Sequence, residues 1–364
     1  MEATRGVLPT IYRYVGSAKV MLTTLNRSSL PPNIRKDFLD SVNCLRRKPS
    51  IFPPGLTGSQ NRYDDFTATH LNQTLTVHAN TFFVHWHRHL LFLFEQALIK
   101  ECGYQHTLPY WDWPLYVDNL YTSKLFDGSE HSFGGNGAYV PGLPDINEGG
   151  GVFVPRGTGG GCVTTGPFAN MTVPFKKLKF FDIFVFNGVL PSTALNYDPH
   201  CLTRDISIGA VQWGNQANVS YQISQPDFPS FNYFINGALG LVSVHTAGHQ
   251  AGGGVNGDGS STFGANADPF FYLHHAMVDL TYTVWQALDP KRRQYNITGG
   301  NTTAYLTSTA FNIPPSPIVT LDFELNWGFL DQPRRLRDIM SVTGGPYCYK
   351  YDYDYDQYSK PMQE

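Results

Sequence analysis

Nine of the chain's twelve histidines fall in two short stretches, and both stretches are strongly apolar. The first holds His70, His78, His85, His87 and His89 and runs straight into Leu90-Leu91-Phe92-Leu93-Phe94. The second holds His245, His249 and the pair His274-His275, set between Phe270-Phe271-Tyr272-Leu273 and Ala276-Met277-Val278. Segments this apolar go to the interior, and burying several imidazoles without polar partners is costly. The chain must fold so that these rings satisfy one another, and shared coordination of a metal does so. Imidazole is the commonest metal ligand. All-nitrogen donor sets, with no cysteine nearby, favour copper or zinc over magnesium, calcium or an iron–sulfur cluster. Two clusters that can each offer three ligands point to two ions.

Spacing narrows the choice only in part. His245 and His249 are four residues apart, which places them on one helix face. His274 and His275 point about 100° apart on a helix, so one of the two can face the ion shared with that pair. Asp279, one turn beyond His275, is placed to orient the helix end or a ligand. In the first stretch His85 and His89 are also four apart, with His87 on the opposite side. Spacing therefore leaves two sets open, one built on His85 and His89 and one on His70, His78 and His87. A lone histidine on an apolar helix is usually a core or surface residue, and an i, i+4 pair names no base, unlike HExxH. Two such clusters in one chain make coincidence the weaker reading.

The 364 residues are 41% hydrophobic and 15% charged, enough for a large core under a sparsely charged surface. The net charge of −3 gives nucleic acid or an anionic membrane nothing to bind. No run approaches 18 apolar residues, which argues against a membrane-spanning helix. The start, Met1-Glu2-Ala3-Thr4-Arg5, carries no apolar leader. Six Asn-x-Ser/Thr sites, at Asn26, Asn72, Asn170, Asn218, Asn296 and Asn301, nevertheless point to a secreted glycoprotein whose leader is absent from this chain. The five cysteines form no CxxC. Cys162 and Cys201 flank a glycine-rich stretch and can close it. Cys44 and Cys348 can tie the chain ends, which leaves Cys102 over. The alternative is five buried thiols, and spacing does not choose the pairing.

The coarse reading is mainly helical. Residues 17–25 and 33–48 read as helices, a third begins near Asp64-Asp65 and carries His70, and Trp86 to Glu101 is the clearest, closed by Gly103. Residues 127–170 are rich in Gly and Pro but lack the GK[ST] ending of a phosphate loop, and read as a long surface loop. Residues 228–250 and 268–288 return to helix, the latter with Asp268 as N-cap and Pro269 at the first helical position. The tyrosine alternation from Tyr347 to Tyr355 reads as a short strand. No repeat or Pro/Ser linker divides the chain, so residues 1–364 are expected to form a single domain.

Two segments carry a resemblance. His78-Ala-Asn-Thr-Phe-Phe83-Val-His85-Trp86-His87-Arg88-His89-Leu-Leu-Phe-Leu-Phe-Glu95 resembles the first copper-binding signature of the tyrosinase, catechol oxidase and haemocyanin family. Asp268-Pro269-Phe-Phe-Tyr-Leu-His274-His275-Ala-Met-Val-Asp279 resembles the second. With Tyr110-Trp111-Asp112-Trp113 and the C-terminal tyrosines, the likeness covers nearly the whole chain. It is most similar to the short secreted fungal polyphenol oxidases.

The resemblance implies a mainly α fold, with a four-helix bundle holding a dicopper centre, long loops and minor β structure. It implies His70, His78 and His87 as ligands of one copper and His245, His249 and His275 as ligands of the other, leaving His85, His89 and His274 as neighbours. It implies O2 as co-substrate and small phenols as substrates, with o-diphenols oxidised to o-quinones and O2 reduced to water, in a monomer or homodimer. Position 76 is Thr, so the Cys–His thioether of many relatives is absent. Thr246 follows the first histidine of the second set, where strong monophenol hydroxylases often have Asn paired with a Glu. No acid lies between Asp227 and His245, so the base for a phenol's proton is missing from that segment. The expectation is o-diphenol oxidation with monophenol hydroxylation weak or absent. The nearby alternative is a tyrosinase or o-aminophenol oxidase, and the remoter ones are a haemocyanin-like oxygen carrier and a dizinc hydrolase. Gln250 is expected to touch substrate, and Phe263 to be a gate or a plain core residue. Arg88 and Asp279 are expected to support the site from behind.

Overall fold

In the computed structural model the described residues are 12–15, 18–178, 190–237, 241–297 and 319–352. Helix α1 (Pro32–Leu45) packs on the outside of a core built by α2 (Arg62–Val77) and α3 (Phe83–Cys102), with α4 (Phe228–Asn236), α5 (Val244–Gly253) and α6 (Phe270–Leu288) completing it. The mainly helical class is as expected. Helices α3 and α6 are buried around most of their circumference, as helices apolar on all sides must be. Aromatic rings lock the bundle. Phe66 of α2 meets Phe94 of α3 edge-on at 5.3 Å, and Phe94 stacks on Tyr272 of α6.

The helix ends follow local chemistry. Asn61 caps α2, its Oδ1 accepting from the Asp64 amide, and Asp64 and Asp65 sit in the first turn where the helix dipole favours negative charge. Gly103 closes α3 in the left-handed conformation, φ 73°. Helix α6 begins at Phe270. Asp268, expected as its N-cap, lies in extended backbone just ahead of it and forms a bidentate buried pair with Arg204, at 2.9 and 2.8 Å.

Several expectations are corrected. Residues 17–25 are not a helix, since Ala18–Thr24 is a strand (β2) paired antiparallel with Tyr12–Val15 (β1). The run Val20-Met21-Leu22-Thr23-Thr24 suits either structure. Parallel pairing with the distant Tyr349–Tyr351 decides it, a contact no local pattern contains. The helix expected over 228–250 is two, α4 ending at Gly237 (φ 73°) and α5 starting at a Ser243 cap. The stretch 127–170 is not a plain loop, because it carries four short strands. Two of them, Ile146–Gly149 (β3) and Val152–Val154 (β4), make a hairpin turned by Gly149, Gly150 and Gly151, all at positive φ.

The cysteines pair as Cys162–Cys201 and Cys44–Cys102. The Cys44–Cys348 bridge does not form, and Cys348 lies outside both disulfides. The reason is helix packing: α1 and α3 run side by side so that their last turns, carrying Cys44 and Cys102, have Cα atoms 5.9 Å apart. Of the Asn-x-Ser/Thr sequences, Asn72 and Asn170 are exposed and Asn218 and Asn296 half-buried. Asn26 is buried, and its Oδ1 accepts from the Ser28 amide and hydroxyl. Asn301 lies outside the described residues.

A buried network ties the small sheet to the bundle. Arg88 on α3 pairs with Asp279 on α6 at 2.5 Å, and Tyr349 and Tyr351 of the last strand (Tyr349–Tyr351, β5) both donate to the other oxygen of Asp279. Arg88 also donates to the Met340 carbonyl and to Thr283. Burial works against the Arg88 charge, but the Asp279 carboxylate beside it raises its pKa above the ordinary value.

Candidate metal centre

Helix α2 delivers His70 from its interior, and His78 follows at its C-terminal cap. Helix α3 delivers His87. The coordinating nitrogens of these three rings lie within 4.8 Å of one another. Each ring is aimed by a backbone carbonyl: the Nδ1 atoms of His70, His78 and His87 meet the oxygens of Phe263 (2.7 Å), Thr74 (3.0 Å) and Phe83 (2.8 Å). A carbonyl only accepts, so each Nδ1 carries the proton and each Nε2 keeps its lone pair. The Nε2 atoms of His70 and His87 are buried and have no hydrogen-bond partner among the described residues. That is costly unless something else fills the space.

The second trio is tighter. The Nε2 atom of His249 lies 3.0 Å from that of His245 and 3.1 Å from that of His275. Three nitrogens about 2.0 Å from one ion in tetrahedral directions are about 3.3 Å apart, so the spacing fits a shared metal. His249 is aimed by the Gly259 carbonyl at 2.8 Å. The two trios adjoin, with His87 stacked on His275 at 4.5 Å between ring centroids. Burial pushes all six imidazoles below their ordinary pKa, His78 and His249 to about 4. They are therefore neutral at neutral pH, as metal ligands must be.

The remaining histidines of the two stretches are spent elsewhere. His85 bonds the Thr81 carbonyl and the Tyr282 hydroxyl. His89 bonds Tyr347 and Asp331. His274 lies close enough to the second trio to be counted with it, but its Nδ1 accepts from the Trp113 indole at 3.1 Å, which puts its proton on Nε2. This close fit explains the glycine in His245-Thr-Ala-Gly248-His249, because a Cβ at Gly248 would sit 2.2 Å from the His274 ring. Asp279 does not orient His275, as its partners are Arg88 and the two tyrosines.

Beside the trios lies a cavity of about 380 Å³, bordered by His70, His78, His245 and His249 and by both Thr246 and Gln250. The Thr246 hydroxyl is engaged with Ser243 at 3.0 Å, inside the cap of α5. Phe263 is placed differently from the gate reading. It does not border this cavity, and its side chain packs in a small apolar cluster with Ala68, Leu71 and Leu178 while its carbonyl aims His70.

The structure also brings in a residue that scanning the segment before His245 misses. Glu148, from the β3–β4 hairpin, borders the cavity and accepts from Gln250 Nε2. Burial alone pushes its carboxyl up to about 7. The only local hint is its place before three glycines, and nothing in that pattern names the cavity as its target.

The comparisons agree with this geometry. Residues 60–288 match the family profile described as the common central domain of tyrosinase. The chain is 37% identical over 326 residues to Tyrosinase P of Aspergillus terreus, covering 87% of this chain and 88% of that protein. It is 34% identical over 341 residues to an N-acetyl-6-hydroxytryptophan oxidase of Emericella nidulans, covering 89% and 90%. Its fold superposes on a polyphenol oxidase variant from Thermothelomyces thermophila with a TM-score of 0.79 at 34% identity, covering 91% and 88%. Two histidine groups suited to copper, on a helical bundle of this topology and with this similarity, make the chain a member of the tyrosinase family of type-3 copper oxidoreductases.

Proposed function

We propose that the protein is a copper-dependent polyphenol oxidase that converts o-diphenols to o-quinones and reduces O2 to water. The observation that carries this reading is the pair of adjoining histidine trios opening on one cavity. His70, His78 and His87 would hold one copper ion and His245, His249 and His275 the other. Bound there, the pair supplies the redox chemistry toward dioxygen that no side chain offers. The chain's own part is to orient four of the rings, His70, His78, His87 and His249, through backbone carbonyls, keep all six neutral by burial, and shape the space where a phenolic ring docks. Thr246 and Gln250 border that space. Two disulfides support secretion into an oxidising compartment.

We further propose that monophenol hydroxylation is weak, because Thr246 is held by Ser243 and offers no amide to position a water. One observation favours the second reading, a tyrosinase with real monophenolase activity: Glu148 is an acid in the same cavity, with a pKa suited to taking a proton near neutral pH. Oxygen uptake and quinone absorbance with catechol, phenol and o-aminophenol separate the readings. Catechol is expected to be oxidised fastest and phenol slowest. Thr246→Asn is expected to raise the phenol-to-catechol rate ratio, and an unchanged ratio would remove Thr246 from the account. A purified protein that takes up zinc but no copper, and turns over no diphenol, would overturn the proposal.

A further inference from the structure

The cavity beside the histidines has an uneven charge. The groups of formal charge on its wall are Asp145, Glu148 and Lys177. Lys177 is engaged by other partners. Its ammonium donates to Thr203 and to the Asn256 carbonyl and lies 3.8 Å from Asp258. Asp145 is exposed and accepts from the Arg156 amide at the rim. The histidines are neutral. Apart from the ions the histidine trios would hold, Glu148 in its ionised form is thus the unpaired charge of the wall among the described residues; the β3–β4 hairpin carries it and the amide of Gln250 donates to it.

What this pair offers is acceptors. One N–H of the Gln250 amide goes to Glu148, and the Oε1 of Gln250 has no partner among the described residues. Gln250 directly follows His249 and is itself buried, so the pair sits beside the metal-binding histidines rather than at a distant mouth. A carboxylate next to an amide oxygen suits a group with several N–H donors and a positive charge, and repels a second carboxylate. A volume of about 380 Å³ takes an aromatic ring with a short side chain. We infer that this cavity selects phenolic rings bearing a cationic amine substituent, seated on Glu148 and Gln250, over rings bearing an acid. The inference rests on the proposed oxidation of phenols here and adds the substrate class.

The test compares 4-(2-aminoethyl)catechol with 3-(3,4-dihydroxyphenyl)propionate on the copper-loaded protein and on Glu148→Gln. The wild type is expected to favour the amine in kcat/KM, and Glu148→Gln to lower that preference about tenfold, the scale of one charge-assisted hydrogen bond. A Glu148 that acts only on the ring hydroxyl would slow both substrates alike, and that unchanged ratio would overturn the inference. Calorimetry with 2-phenylethylamine, which cannot be oxidised at its ring hydroxyls because it has none, gives a second readout. Its binding is expected to weaken about tenfold in Glu148→Gln on the same scale, and equal binding would overturn the inference. If neither catechol is oxidised but amine binding still depends on Glu148, the oxidase reading fails and the amine seat stands.

Discussion

At the scale of single residues, what separates a coordinating histidine from its neighbour is where the second nitrogen goes. His85 and His89 have both nitrogens occupied by hydroxyl, carbonyl or carboxylate partners. His87, between them in sequence, has one nitrogen on a carbonyl and the other facing only imidazoles. The adjacent pair His274-His275 divides on the tautomer instead: the Trp113 indole donates to His274 Nδ1 and so puts that ring's proton on Nε2, while His275 Nε2 faces His249 at 3.1 Å. His275→Ala is expected to halve the copper bound per chain, while His274→Ala keeps both ions even if it lowers stability. Metal analysis of the purified variants checks this, and the opposite pattern would exchange the roles of the two residues. None of this was legible from spacing, which treats His85/His89 and His245/His249 alike. The family resemblance names the same six rings, and the hydrogen bonds supply a physical reason for that choice.

At the scale of elements, the long apolar helices were easy to read and their partners were not. Gly103 as a stop and the start near Asp64 are local signals, and the helices obey them. The strand at Ala18–Thr24 and the partner of Cys44 depend on segments far away in the chain. The Cys44–Cys102 bridge closes a loop of 58 residues between the ends of α1 and α3. Cys102→Ser is expected to cost about 2–4 kcal/mol, chiefly by freeing the unfolded chain. Chemical denaturation of the variant measures it. Peptide mapping without reduction is expected to recover Cys44 linked to Cys102 and Cys162 linked to Cys201.

At the scale of the whole molecule, the centre is a set of neutral imidazoles enclosed by apolar walls, and this gives the metal-stripped protein a characteristic response to pH. A histidine whose folded pKa lies below its unfolded value adds nothing above about 6.5, where both states are neutral. As pH falls below that, the unfolded chain takes up protons that the folded site refuses, so stability drops. With His78 and His249 near 4 and the other ligands also lowered, the loss is expected to run from about pH 6.5 down to 4. Five acids among the described residues work the other way, Asp65, Asp268 and Asp352 being raised by burial as well as the two with the largest rise. Asp64 and Glu148, raised by burial to about 7, favour the folded state below their unfolded values, and that contribution fades as pH rises toward 7. The histidines outnumber them, so the melting temperature of chelator-treated protein is expected to fall on acidification through this window. A melting temperature that stays flat or rises would show that the rings are not buried as neutral groups.

The amino-acid order by itself determined the helical class, the two histidine-bearing segments and the kind of ion they suit. These follow from periodicity, side-chain chemistry and local capping, all carried within a few residues. The tertiary structure alone decided which nitrogens face one another, that Cys102 rather than Cys348 meets Cys44, and that Phe263 lends its carbonyl rather than its ring. It also placed Glu148 beside Gln250, across 102 residues of chain. Such contacts depend on how distant elements pack, and local periodicity contains no record of them.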